Sequence, residues 1–236
     1  PAYADPAPAA PQPLPMGQGA PAPAPVAVLA AEDKATIKAL KDRIGQLEMR
    51  LDHQDTALRR IMRDLRLALP NSIRVDPTGK YVEMLLTSGG GRYRAAVTAA
   101  GGGDILDFTA ADTSFDVIGP AVTLAATDSI VIYNLGPGFT NADAYTGSNR
   151  AAPAACTGCS TVTLTAAKLF PLESPAMRFH VVQYPVTYRC DDAAGEIRRY
   201  WNYAIAAAQP VPPAGGSSAQ LAGDRKSTRL NSSHVA

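Results

Sequence analysis

The residues whose type and spacing come nearest to chemistry are three cysteines: Cys156 and Cys159, separated by Thr157 and Gly158, and Cys190. A CxxC pair lets two thiols share a disulfide, and its first thiol becomes nucleophilic when a following helix N-terminus lowers its pKa. Here Ser160 to Thr165 follows, a run that reads as a strand, so redox catalysis lacks the helix it needs. A zinc site would need four ligands; the three cysteines and His180 are available, with no second CxxC. The pattern points to one structural disulfide in an oxidising compartment, within the pair or from one of its members to Cys190, with the third thiol left over.

Three histidines, His53, His180 and His234, stand apart from any Ser or Cys nucleophile with an acid partner. Asp191 and Asp192 read as a turn rather than a carboxylate pair. Gly89–Gly91 and Gly101–Gly103 read as hairpin tips, since neither run leads into a helix start that would hold a phosphate. Tyr184, Tyr188, Tyr200, Trp201 and Tyr203 crowd the last hairpin, where they would cover a sheet or offer a partner surface. The residues therefore predict no catalytic centre, no metal site and no cofactor site.

The elements that carry these residues change character along the 236-residue chain. Nine of its 20 prolines fall in the first 25 residues, amid Ala, Gly and Gln, so residues 1–31 are expected to be a disordered, polyproline-like tail. From Glu32 the pattern switches to charged and aliphatic residues, with Ile37, Leu40, Ile44, Leu47, Leu51, Gln54, Leu58, Ile61 and Leu65 spaced by three and four. This is a heptad seam. It predicts a helix from Glu32 to Leu69, stopped by Pro70 and Asn71. At ~1.5 Å per residue, ~38 residues span ~57 Å, so part of the helix is expected to project or to pair with another helix.

After Pro70 the period falls to two. Ten short runs read as strands: 72–75, 81–87, 92–98, 105–109, 115–118, 129–134, 161–165, 178–183, 186–190 and 196–203. A helix followed only by strands predicts an α+β fold, with the long N-terminal helix packed on an antiparallel sheet through Leu58, Ile61, Leu65 and Leu69. The charge balance, 22 basic against 21 acidic residues, gives no support to nucleic-acid binding. Arg59, Arg63 and Arg66, with Arg60 beside them, read as a solvated helix face. The longest apolar run, Val26 to Ala31, is too short to span a bilayer.

The run Asp55-Thr56-Ala57-Leu58-Arg59-Arg60-Ile61-Met62-Arg63-Asp64-Leu65, continuing to Val75, resembles the pilin helix entering its first strand in minor pilins of MSHA-type (mannose-sensitive haemagglutinin) pili, the MshO-like group. Gly89-Gly90-Gly91-Arg92-Tyr93-Arg94, Asp128 to Gly136, Phe179-His180-Val181-Val182, Val186 to Cys190 and Ile197 to Tyr203 carry the same resemblance. It covers about residues 55–223. It implies a pilin-like fold and a non-enzymatic type IV pilus subunit, held in the inner membrane and periplasm before assembly into a cell-surface pilus. The implied partners are other pilin subunits and the assembly machinery, with no cofactor and no catalytic residue.

Such proteins begin with a peptidase site and an apolar helix. Neither is present here, so membrane contact is expected only through an N-terminal helix outside this sequence. Residues 32–54 form a helical, coiled-coil segment instead, and Asp224 to Ala236 resembles a translated sequencing adapter, set apart from the fold. The competing expectation is a periplasmic coiled-coil scaffold or ligand-binding β-module.

Overall fold

The computed structural model describes residues 31–223, and the expected Pro/Ala tail up to residue 30 and the segment from Asp224 lie outside them. Two compact units divide the chain, residues 1–48 and 49–236. Helix α1 runs Ala31–Leu67. In the first unit Ile37, Leu40, Ile44 and Leu47 are all exposed. Among the described residues no helix is long and apolar enough to cross a membrane.

In the second unit the chain leaves α1 directly onto a strand edge. Leu69 N donates to Leu85 O at 2.8 Å, Ala68 bridges Leu86, and Asn71 turns the chain with φ 62°. Pro70, with no amide to donate, suits this exit from the helix. The strands that follow are β1 (Arg74–Val75), β2 (Tyr81–Tyr93), β3 (Asp112–Ile118), β4 (Val122–Leu124), β5 (Ser129–Ile132), β6 (Arg150–Ala151), β7 (Cys156–Cys159), β8 (Thr161–Lys168), β9 (Arg178–Asp191), β10 (Glu196–Trp201) and β11 (Ser217–Gly223). Nine of them form one sheet along the path β11-β10-β9-β2-β3-β8, with β1 on β2, and β5 between β6 and β9. The remaining two, β4 and β7, pair with each other. All the pairings are antiparallel.

This architecture corrects the expected α+β fold. The described residues are mostly β, with a single helix and a large sheet, and not a long helix laid across a small sheet. The sheet buries itself by alternation: Met84 and Leu86 join Val186 and Tyr188 on one side, whereas Leu85 joins Val131 and Val182 on the other, under Leu69, Ala144 and Tyr145. A third cluster gathers Tyr93, Phe115, Ile130, Ile132, Val162, Phe170 and Phe179, with the Phe115 and Phe179 rings edge to face at 5.4 Å. Loops and other strands supply most of the cover, and the helix end adds Ile61, Ala68 and Leu69, so the sheet does not need Leu58 or Leu65.

Several expected boundaries shift for identifiable reasons. Gly89–Gly91 lies inside β2 and is not a hairpin tip. A Cβ on Gly90 would sit 2.6 Å from Phe179 O, and one on Gly91 would sit 2.9 Å from the Phe179 ring, so the glycines admit a close neighbour. Strand β9 continues through Pro185, which divides it in the sequence. It can do so because β9 pairs with β5 at Phe179–Val182 and with β10 at Val186–Asp191, leaving Gln183–Pro185 with β2 alone as a neighbour. A proline's missing amide is tolerated where one flank of the strand is open. Beyond Tyr93, the expected strand at 92–98 becomes a loop, as does 105–109.

Candidate functional site

Of the four residues expected to pack on the sheet, Ile61 and Leu69 do so and Leu58 and Leu65 do not. Leu69 is buried and Ile61 packs against the cluster of Met84, Leu86, Val186 and Tyr188, but Leu58 is 57% and Leu65 41% exposed. The buried or sheet-packed positions of this part of α1 are Ala57, Ile61 and Asp64, continued by Ala68 just past its end, a stripe spaced by four, three and four. Small residues and one carboxylate bring the helix end close to the strands, which turns Leu58 and Leu65 to the solvent side.

Asp64 is the anchor. Tyr188 Oη from β9 and Arg199 Nε from β10 both donate to its Oδ2 at 2.7 Å, and Arg63 Nε lies 3.7 Å from Oδ1. The Arg199 guanidinium also stacks over Trp201 at 4.7 Å from the ring centroid. Burial, reinforced by Asp64, raises the Tyr188 phenol. Sequence reading passed over Asp64 because it lies among arginines, although its spacing from Ala57 and Ile61 placed it on one stripe with them.

On the opposite face a second buried network holds the chain after β10. Arg74 Nε donates to Glu83 Oε2 at 2.6 Å, and its other nitrogens donate to Ala206 O and Ala207 O. Tyr203 Oη donates to Glu83 Oε1 at 2.9 Å, Thr187 Oγ1 lies 2.6 Å from Tyr203 Oη, and the Arg74 guanidinium rests 3.6 Å over the Tyr145 ring. Burial raises the Glu83 carboxyl, opposed by Arg74 and Tyr203. With Glu83 wholly buried and both its oxygens engaged, the network fastens the fold and leaves no room for a substrate.

Cys156 and Cys159 form a disulfide with an S–S distance of 2.03 Å, and Cys190 is a free, exposed thiol. The pair makes up the ends of β7, bound to β4 through Val122 and Leu124, and strand β8 follows it. Among the described residues no group of three or more His, Cys, Asp or Glu side chains comes together to hold a metal.

Two surface depressions stand out among the described residues. One, about 400 Å³, is lined by Gly89–Gly91, Arg92, Arg178, Phe179 and His180, with Arg92 and Arg178 directly opposite each other. Burial, then the Arg178 charge, lowers the His180 pKa. The other, about 490 Å³, fills the notch beside β9 at Gln183 and Tyr184, between Ser129 and Arg150 on one side and Asn202 and Tyr203 on the other. The residues around this notch belong to segments far apart in the chain, and only Tyr184 and Tyr203 stood out in the sequence, as sheet cover or a partner surface. Comparison with known protein families, with characterised proteins and with solved structures returns no match.

Proposed function

We propose that the chain works by assembly and not by catalysis, as a structural subunit of the minor-pilin kind in an MSHA-type pilus, passing through the periplasm to the cell surface. The observation that carries this reading is the exposed row Leu51, Leu58, Met62 and Leu65, at 65%, 57%, 45% and 41% exposure. These residues recur at seven, four and three positions, so they share one side of the helix, and the Ala57–Ile61–Asp64–Ala68 stripe occupies another. Large apolar side chains left in water along one helix face are a docking surface for another helix. The Asp64 anchor fixes this part of the helix to the β-domain, so a partner helix that seats on the row carries the domain with it. The motifs of residues 55–223 supply the pilin direction, and other pilus subunits are the partners on this reading.

A second reading, a coiled-coil scaffold of identical chains, is favoured by a separate observation in the first unit. Ile37 and Ile44 alternate with Leu40 and Leu47, the β-branched-at-a, leucine-at-d pattern of two parallel helices. In that register Arg43 faces Glu48 of the second copy, an attractive pair. The segment from Glu32 to Glu48 carries four acidic and four basic residues, so two copies do not repel overall.

Sedimentation of the purified chain, together with fractionation of pili from cells expressing it, separates the two. The pilus reading expects the chain in the pilus fraction and its loss from that fraction in Leu51→Ser/Leu58→Ser. Self-association abolished by Leu40→Ser, with no entry into pili, favours the scaffold. A monomer absent from pili overturns both.

A further inference from the structure

The notch beside β9 is built around a cation without a counter-charge. Arg150 is half-buried there, and among the described residues no carboxylate or carbonyl accepts from its guanidinium. One terminal nitrogen of that guanidinium lies beside Gly147, 3.5 Å from where a Cβ would stand, an ordinary contact. Lys168 Nζ donates to the carbonyl of the same Gly147 at 3.3 Å, so a second cation lies close by. Burial lowers the pKa of both, and the Arg150 charge lowers that of Lys168 further, with no acid acting in the other direction. A desolvated guanidinium that lacks an anion is costly, and an anionic ligand relieves the cost.

The remaining walls narrow the class of anion. Thr127 and Ser129 present hydroxyls, and Gln183 and Asn202 present amides, so the notch offers several neutral donors and acceptors around one charge. Tyr184 and Ile205 add apolar surface. Among the described residues no carboxylate lines the notch. A bare inorganic anion would use the guanidinium and leave the amides and ring idle, whereas a hydroxylated carboxylic acid uses all three. The volume of about 490 Å³ falls within the ~300–1,000 Å³ range of small-molecule sites.

We propose that this notch binds an acidic monosaccharide unit of the uronate type, its carboxylate on Arg150 and its hydroxyls on Gln183, Asn202, Thr127 and Ser129. The site arises where β9 passes from β5 to β10 and leaves Gln183–Pro185 open on one flank. It does not depend on the reading of the helix.

The test is a titration of the full chain, at low salt, with glucuronate, glucose and inorganic phosphate, followed by NMR shifts or calorimetry. Glucuronate is expected to bind at least ten-fold more tightly than either of the others. Arg150→Gln should weaken glucuronate at least ten-fold with an unchanged melting temperature, because the guanidinium supports no other group. Gln183→Ala, at an exposed position, should weaken glucuronate and leave phosphate unaffected. Equal binding of glucose, phosphate binding as tight as glucuronate, or an Arg150→Gln variant that binds normally each overturns the proposal.

Discussion

Arg199 of β10 and Asp64 of α1 form a buried ion pair, Nε to Oδ2 at 2.7 Å, with their side chains 4% and 1% exposed. The pair joins the helix to the sheet beside the apolar contacts of Ile61 and Ala68. Removing one member strands a buried charge, which costs about 3–5 kcal/mol. Asp64→Ala should therefore lower the urea midpoint strongly, as should Arg199→Ala. The double change Asp64→Leu/Arg199→Met should cost clearly less than the two single losses added together. A loss under ~1 kcal/mol in Asp64→Ala would show that the pair does not hold the helix.

The three glycines of β2 should respond unequally to alanine. Gly90 faces Phe179 O and Gly91 faces the Phe179 ring, at 2.6 and 2.9 Å from the added Cβ, whereas Gly89 meets nothing within 4 Å. Overpacking should cost about 1–3 kcal/mol in Gly90→Ala and in Gly91→Ala. Gly89→Ala should stay within ~0.5 kcal/mol of the parent. Denaturation of the three variants is the check, and three equal losses would contradict this geometry.

His180 should make stability depend on pH in the mildly acidic range. Burial and the Arg178 charge hold its folded pKa below the ordinary 6.5. For a base with a depressed folded value, the unfolded chain takes the proton first. Its contribution is complete above the unfolded value and is lost as pH falls below about 6.5 towards the folded one. Unfolding free energy measured between ~pH 7.5 and ~pH 5 should fall in the parent and fall less in His180→Gln. Parallel curves would remove His180 as the cause.

The thiols should divide two to one. Because Cys156 and Cys159 are joined and Cys190 is exposed, a maleimide should label one site on the native chain and three after reduction and unfolding. Cys190→Ser should abolish the native labelling. With strand β8 and not a helix after the pair, no Cys156-dependent reduction of insulin disulfides should appear.

The period of each segment is legible in the chain alone: a heptad from Ile37 onward, then strands after Pro70, with turns at Asp76-Pro77-Thr78-Gly79 and after Asp191. Those signals are local, because side-chain alternation and turn chemistry act over a few residues. The CxxC pair is legible too, but spacing alone left open which two thiols join.

Which face of α1 meets the sheet is settled by long-range packing. A stripe of leucines satisfies any apolar partner, whether its own sheet or another helix, and the choice fell to Asp64, whose partners Tyr188 and Arg199 lie 124 and 135 residues away. The fate of the glycine run was likewise set by Phe179 across the sheet, and the notch around Arg150 by the change of neighbour along β9. Each depends on pairing between segments distant in the chain, where the contacting groups leave no spacing for a sequence to display.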